Sequence, residues 1–169
     1  MAVFLVFTLA ESAAGGRAYV LLYVLKVCAV TAALYACRST SKDVKISARV
    51  LAPAVGVGLL VFAQWVLLDK YVNYYRLGSR AAFNPFEAVA DPALRLLFMV
   101  ARFYGLVLVV PLMEELFWRS FLLRYFTSHK FEKVPLGAFS WPAFAVVAVG
   151  FALSHPEWLP ALFTACAYA

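Results

Sequence analysis

The chain has 169 residues, of which 65% are hydrophobic and 14% are charged, and its mean hydropathy is +0.85. A soluble domain is nearer half apolar and a quarter charged, so these values exclude an ordinary soluble domain and indicate a polytopic membrane protein. The formal net charge is +6. Its basic residues cluster in loops between apolar runs, which is the pattern of charge that sets membrane topology rather than that of a nucleic-acid surface.

The N-terminal apolar runs predict the first membrane segments. Residues 1–10 are too short to span a bilayer, and no lysine or arginine precedes them as in a signal peptide. We interpret them as the tail of a spanning helix or a short anchor. Residues 18–36 form a full span with one lysine, Lys26, which we expect to reach the interface by snorkelling.

A second span and an aromatic loop come next. Residues 50–68 are apolar, and Gly56 and Gly58 within them predict close packing against another helix. The loop at 69–92 is rich in tyrosine and phenylalanine, which is typical of the belt at a membrane interface.

The remaining runs complete the predicted bundle. Residues 93–126 are helical in pattern and are interrupted only by Pro111. A continuous helix would be roughly 50 Å long, so this segment is either one tilted helix or two helices broken near Pro111. With further apolar runs at 139–154 and 158–169, the sequence predicts an all-α transmembrane bundle of about five to six spans. We expect one integral membrane domain over 1–169.

The distribution of positive charge bears on orientation. Loops 37–49 and 124–133 contain four and three Lys or Arg residues, whereas 11–17 and 69–92 contain one and three. This difference predicts a cytoplasmic location for the first two loops.

Three ionisable residues lie within the apolar stretch PLMEELFWRSFLLRYF. They are Glu114, Glu115 and Arg119. A charge at the bilayer centre costs about 2.5–3.5 kcal/mol on insertion scales, so all three must face protein or a wet cavity. Glu115 and Arg119 are four residues apart in the favourable ion-pair order, while Glu114 is turned about 100° away. We therefore expect Arg119 to neutralise Glu115 and Glu114 to be available for chemistry. The alternative is a structural ion pair with a spare carboxylate at a helix interface.

A second polar position, His155, ends a span in the stretch GFALSHPEW, beside Ser154 and one turn after Phe151. Alone, such a histidine indicates interfacial packing. Together with Glu114 it could hold one water, the carboxylate acting as general base and the imidazole orienting the water or stabilising charge. Glu114, Glu115 and His155 could instead hold a divalent metal, since carboxylates and imidazole suit zinc. The HExxH spacing of zinc proteases is absent.

Two short motifs carry a family resemblance. EELFWR fits an EExxxR pattern and FALSH fits an FxxxH pattern one span later. Together they resemble the first two motifs of the type II CAAX prenyl endopeptidase and bacteriocin-processing (CPBP) family of intramembrane proteases. The resemblance covers residues 111–169, about a third of the chain.

The resemblance implies an all-helical bundle with Glu114 and His155 as the catalytic residues that activate water. It makes Glu115, Arg119 and Phe151 supporting residues and leaves metal dependence open. Residues 93–169 would be the N-terminal part of the protease core. The family's later motif, a histidine followed by Asn or Asp one turn on, has no match and is expected beyond residue 169, so this fragment could be inactive alone.

These expectations define the functions to be compared. The first is an intramembrane endopeptidase acting on a membrane-associated peptide or protein, with CAAX-type processing implied by the resemblance. Its expected location is the bacterial inner membrane, with the lipid bilayer as partner and no nucleic acid. The alternatives are a non-catalytic membrane scaffold or partner-binding subunit and, more weakly supported, a proton-coupled transporter using Glu114 as a relay.

Overall fold

A computed structural model describes residues 1–14, 16–38, 47–78 and 83–168. Within these ranges the secondary structure is helical, which confirms the predicted all-α class. The α-helices are α1 (Ala2–Ala13), α2 (Gly16–Ala36), α3 (Ala48–Tyr71), α4 (Pro85–Ala88), α5 (Pro92–Tyr104), α6 (Val110–Glu114), α7 (Arg124–Thr127), α8 (Trp141–Leu153) and α9 (Trp158–Tyr168). Two π-helical segments, Gly105–Val109 and Glu115–Leu123, and one 3₁₀ turn, Phe131–Lys133, accompany them.

Among the described residues, three helical stretches are long and apolar enough to cross a membrane. They are Ala18–Ala36, Ala48–Tyr71 and Pro92–Thr127. The other apolar helices, α1, α8 and α9, are shorter. Large apolar side chains on α3, such as Leu60 and Phe62, are exposed. Such a surface suits lipid, and the helices therefore support an integral membrane protein.

The predicted choice at Pro111 is resolved in favour of one long helix, Pro92–Thr127, of 36 residues. Proline lacks an N–H, and its ring crowds the carbonyl one turn earlier, so it normally breaks or kinks a helix. The π-helical segment Gly105–Val109 ends two residues before Pro111. Because a π turn shifts each hydrogen bond to the next residue, it adjusts the main-chain bonding where proline would disrupt the α pattern. At 1.5 Å per residue the helix is roughly 54 Å long.

The described residues form two compact units. The first contains residues 1–38 and 83–117, and the second contains 47–78 and 118–168. The boundary falls inside the EExxxR motif. The single membrane domain over 1–169 stays a prediction.

In the first unit, α2 packs against the long helix. The buried core consists of Tyr23, Val27, Val30, Phe98, Val109 and Met113. The closest approach is at Gly105, where an added Cβ would lie 2.8 Å from Val27 Cγ2 and 2.9 Å from Tyr23 Oη. The expectation for Gly56 and Gly58 was wrong, because a Cβ at either would meet no atom within 4 Å in the described part of the chain. Those two glycines lie on a helix with an open surface, and the tight helix contact is elsewhere.

The expectation that Lys26 snorkels was also wrong. Its side chain is only 8% exposed, and Nζ lies 2.5 Å from Oε2 of Glu11, whose side chain is 7% exposed. The ammonium group also lies over the rings of Phe4 and Tyr23, at 5.0 and 4.7 Å from their centroids. This ion pair joins α1 to α2, so the N-terminal apolar run is a short helix held against the first span.

In the second unit, α8 and α9 pack closely and α3 contacts α9. Small residues permit the close approach of membrane helices. The buried positions on α8 include Ala143, Ala148 and Ala152, and those on α9 include Ala161 and Ala165. This pair of helices carries the turn that contains the candidate histidine.

The predicted orientation rests partly on residues outside the described ranges. Residues 39–46, within the basic loop 37–49, and residues 79–82, within the aromatic loop 69–92, are among them. The cytoplasmic location of the loops 37–49 and 124–133 therefore stays a prediction.

Replacing Lys26 alone with methionine should destabilise the protein, because Glu11 would remain as a buried charge without its partner. Breaking a buried pair typically costs about 3–5 kcal/mol. Replacing both residues, with Glu11→Leu and Lys26→Met, should recover most of that loss, since apolar replacement of a whole pair is often neutral or stabilising. Thermal unfolding in detergent micelles measures both effects. A double variant as unstable as the single one would contradict the pairing.

Gly105→Ala should lower stability by about 1–3 kcal/mol, the usual cost of overpacking, because the new methyl group collides with Val27 and Tyr23. Gly58→Ala in α3 is the matched control. It meets open space and improves helix propensity, so the same unfolding assay should show equal or higher stability. Equal effects at the two positions would show that α2 does not approach Gly105 closely.

Candidate active site

The imidazole of His155 is held by the main chain of its own helix end. Nδ1 lies 2.9 Å from the carbonyl oxygen of Phe151 and 3.1 Å from the hydroxyl of Ser154. The Ser154 hydroxyl donates to the same carbonyl at 2.7 Å. Because a carbonyl oxygen only accepts hydrogen bonds, this contact places the proton of the neutral ring on Nδ1. The lone pair is then on Nε2, which makes that atom an acceptor or a base.

Two aromatic rings contact His155. The ring of Phe151 lies 4.5 Å from it between centroids, and the ring of Trp65 from α3 lies 5.8 Å away at 72°. Phe151 in turn meets Trp118 edge-on, at 5.7 Å and 79°. The aromatic residue of FxxxH is therefore buried between the histidine and the indole of the EExxxR segment, and its supporting role stays a prediction.

The segment after α3 is bound to the turn that carries His155. The N–H of Leu77 donates to the carbonyl of Pro156 at 2.9 Å. The indole N–H of Trp158 donates to the carbonyl of Tyr75 at 2.7 Å, and the rings of Tyr74 and Trp158 meet edge-on at 6.2 Å. These contacts fix the turn between α8 and α9 from outside the two helices.

Polar side chains connect the segment after α3 to the end of that helix. The Tyr74 hydroxyl donates to Asp69 at 3.1 Å, and Arg76 contacts the same carboxylate oxygen at 2.6 Å. Burial, and then the hydrogen bond to Asp69, raise the pKa of the Tyr74 phenol above its usual value. The Arg76–Asp69 pair is partly exposed, so it contributes little stability by itself and serves mainly to shape the segment.

A glutamine in the apolar helix α3 finds its partners on α9. Nε2 of Gln64 lies 3.3 Å from the Pro160 carbonyl oxygen, and the Thr164 hydroxyl lies 3.3 Å from Gln64 Oε1 and 2.9 Å from the Pro160 carbonyl oxygen. Hydrocarbon offers no such partners, so these bonds fix how α3 and α9 pack. The sequence did not indicate this contact, because Gln64 and Pro160 are separated by 96 positions.

The paired glutamates lie at a change of helix type. Glu114 is half-buried and is the last residue of α6, and Glu115 is exposed and begins the π-helical segment. In an α-helix, two residues four positions apart are rotated about the axis by about 40° more than a full turn, so their side chains lie near one side. In a π-helix, with about 4.4 residues per turn, the rotation between the same two residues is about 30° less than a full turn. The predicted common face of Glu115 and Arg119 is therefore compatible with the observed helix type, and the ion pair stays a prediction.

Arg119 and Trp118 enclose a small space beside the FxxxH residues. The cavity has a volume of about 10 Å³ and is lined by Arg119, Trp118, Phe151 and apolar residues of the second unit. That volume is close to the minimum for one water. The Arg119 guanidinium lies 4.7 Å from the centroid of the Tyr168 ring, a cation–π distance.

The structure thus brings some of the predicted site residues together within one unit. His155, Phe151 and Arg119 all belong to the second unit, whereas Glu114 and Glu115 belong to the first. The pairing of Glu114 with His155 around one water stays a prediction.

The described residues contain no group of three His, Cys, Asp or Glu side chains placed to hold a metal ion. A zinc site made of Glu114, Glu115 and His155 therefore gains no support from the structure and stays a prediction.

The described residues thus form an all-helical membrane protein with a carboxylate pair inside one spanning helix and an imidazole held at the end of the shorter apolar helix α8. Residues 95–169 match the family model described as "Type II CAAX prenyl endopeptidase Rce1-like". The match includes both motifs, covers just under half of the chain, and confirms the recognition made from EExxxR and FxxxH. At the level of the family, this indicates an intramembrane protease of the CAAX-processing type.

Two other comparisons gave no similar protein. Neither the curated proteins nor the solved structures contain a match to the chain.

Arg119→Ala should lower the melting temperature, because Glu115 within the spanning helix would lose its predicted partner, and a charge at the bilayer centre costs about 2.5–3.5 kcal/mol on insertion scales. Tyr168→Leu removes only the ring contact and should cost less, about 0.5–2 kcal/mol. Adding Glu115→Gln to Arg119→Ala should restore stability if the two charges are paired. Thermal unfolding in micelles measures all three variants, and an unaltered melting temperature in Arg119→Ala would contradict the ion pair.

Proposed function

We propose that this protein is an intramembrane endopeptidase that hydrolyses a peptide bond of a membrane-associated substrate, using water activated by Glu114 and His155. The observation that carries the proposal is the contact of His155 Nδ1 with the Phe151 carbonyl oxygen, at 2.9 Å. It gives the imidazole one defined tautomer, with Nε2 as the acceptor, at the histidine of a family motif.

The geometry favours one of the two roles considered for the imidazole. A neutral His155 with its proton on Nδ1 has no N–H on Nε2 with which to stabilise a developing oxyanion. Nε2 can accept a hydrogen bond from water and thereby orient the oxygen lone pair. In the proposed reaction, His155 therefore positions the water and Glu114 takes its proton.

The proposed steps balance in protons. The Glu114 carboxylate removes one proton as the water oxygen bonds to the scissile carbonyl carbon, which gives a tetrahedral intermediate. When the carbon–nitrogen bond breaks, the protonated Glu114 returns that proton to the leaving amine. The carboxylate is regenerated, and the products are a new C-terminal acid and a new N-terminal amine.

The position of Glu114 supports its proposed role as the base. It is half-buried within a spanning helix, directly before the π-helical segment Glu115–Leu123. Single π turns within α-helices are frequent at functional sites, because the changed spacing alters the direction of side chains. Glu115 and Arg119 are proposed to balance each other, so that the local charge does not depend on Glu114.

The substrate and location belong to the same proposal. Catalytic residues on membrane helices favour a peptide bond presented at or within the bilayer. The family match supports CAAX-type processing as the substrate class. The bacterial inner membrane is the proposed location.

A non-catalytic scaffold is the second candidate. The observation that favours it is the packing around His155, since Phe151 and Trp65 contact the ring as they would in a structural core. A scaffold would require the imidazole for packing alone and would tolerate loss of the Glu114 charge.

Glu114→Gln should abolish cleavage of a membrane-tethered peptide while folding is preserved. The change is nearly isosteric and removes a charge that is costly in the membrane, so stability should hold or rise. Loss of a general base typically lowers the rate about 10²–10⁴-fold. The assay uses the full-length protein, with and without a chelator, and His155→Ala should show a comparable loss.

The matched control is Glu132→Gln, which neutralises an exposed carboxylate of the 3₁₀ turn and should retain the parental rate. Parental cleavage by Glu114→Gln would refute the hydrolase and favour the scaffold. Loss of cleavage in both site variants, with no effect of the chelator on the parent, would favour the glutamate mechanism over a zinc site.

A further inference from the structure

The helix that precedes the family match contacts the candidate histidine. Residues 95–169 match the family, whereas Trp65 lies on α3, well before the start of the match. Its indole ring lies 5.8 Å from the His155 ring, at an angle of 72°. The histidine therefore has a neighbour that neither motif includes.

Hydrogen bonds made by residues before and after Trp65 in the sequence fix its position. Gln64, the preceding residue, bonds to the Pro160 carbonyl on α9 at 3.3 Å. After α3, the N–H of Leu77 bonds to the Pro156 carbonyl at 2.9 Å. Both partners lie within five residues of His155 in the sequence. The same helix and its following segment thus hold the indole and the turn in one arrangement.

A single hydrogen bond at Nδ1 does not by itself prevent rotation of an imidazole ring. Rotation about the Cβ–Cγ bond would exchange Nδ1 with a carbon atom and break the contact with the Phe151 carbonyl. It would also redirect Nε2. The Phe151 ring, 4.5 Å away, and the Trp65 ring restrict that rotation from within the second unit.

We propose that Trp65 is a positioning residue for His155, holding the imidazole in the orientation in which Nδ1 donates to the Phe151 carbonyl and Nε2 accepts from water. This rests on the proposed function for its catalytic consequence. In this proposal Trp65 acts through its contact with the His155 ring. Its effect on the orientation and tautomer of His155 is a property of the protein at rest, so it can be tested separately from activity.

The chain is well suited to a direct measurement, because it contains only two histidines. The full chain, labelled with ¹⁵N-histidine and placed in lipid nanodiscs, should give two sets of imidazole signals by NMR. His129→Gln removes one set and assigns the other to His155. In the parent, His155 should show a protonated Nδ1 and an unprotonated Nε2.

Trp65→Leu should move the two ¹⁵N shifts of His155 toward each other, as the ring samples both tautomers. Trp65→Phe retains an aromatic ring and should retain the parental tautomer. Trp141→Leu is the matched control, since Trp141 is 73% exposed and its ring contacts are with Phe139 and Phe144. Its His155 signals should equal those of the parent.

Cleavage kinetics provide a second readout. Trp65→Leu should lower kcat about 10-fold with KM within about twofold, because misplacing a catalytic group slows chemistry more than it weakens binding. Trp65→Phe should recover most of that loss. A change in KM alone would show that Trp65 shapes the substrate path and would overturn the positioning role.

The outcomes separate this inference from the proposed function. If His155 shifts in Trp65→Leu match those of the parent, Trp65 does not position the ring, whatever the activity. If the shifts change as expected but neither the full-length parent nor any of its variants cleaves, the positioning stands and the protease proposal fails. Should Trp65→Leu not fold, Trp65→Phe decides. The indole ring current shifts the His155 carbon-bound protons, so unchanged proton shifts in that variant would show that the rings do not meet.

Discussion

The absence of hydrogen-bond partners in hydrocarbon is the constraint on which this structure depends. A polar group within a membrane helix must find its partner in the same chain or lose substantial free energy. Three independent arrangements meet this requirement: Lys26 with Glu11, Gln64 with Pro160, and His155 with Phe151. The first two join one helix to another. The third differs because Nδ1 of the imidazole finds its partner within its own helix end.

The same constraint explains how the long helix accommodates its irregularities. The helix from Pro92 to Thr127 contains a proline, two π-helical segments and the paired glutamates. Each departure from α geometry keeps the main chain helical, so carbonyl and N–H groups are still bonded within the segment. A break into loop would have exposed those groups to lipid. Changing the helix type alters the direction of side chains at much lower cost, and it does so where Glu114 and Glu115 lie.

The sequence was sufficient for the fold class and for the approximate bounds of the helices, because long apolar runs are the strongest signal in a membrane chain. The two motifs could also be recognised in the sequence, since charges in such runs are rare. Contacts between distant segments could not be predicted from it. Lys26 is a lysine within an apolar run, which is typical of a snorkelling residue. Only the packing of α1 shows its partner, Glu11, 15 positions away. Gly56 and Gly58 have the pattern of a packing site, yet the close contact is at Gly105, because pattern alone does not say which face meets another helix.

The neighbours of His155 show the same limit in functional terms. A motif identifies residues whose chemical type is required, and FxxxH does so for Phe151 and His155. Orientation depends on whichever segment packs against the motif, and here that includes Trp65 and the chain from Tyr74 to Leu77. Packing contacts can be made by many residue types, so they leave no fixed spacing in a sequence. In this protein, Trp65 and the chain from Tyr74 to Leu77 lie before the family match, so the motifs alone do not indicate these contacts.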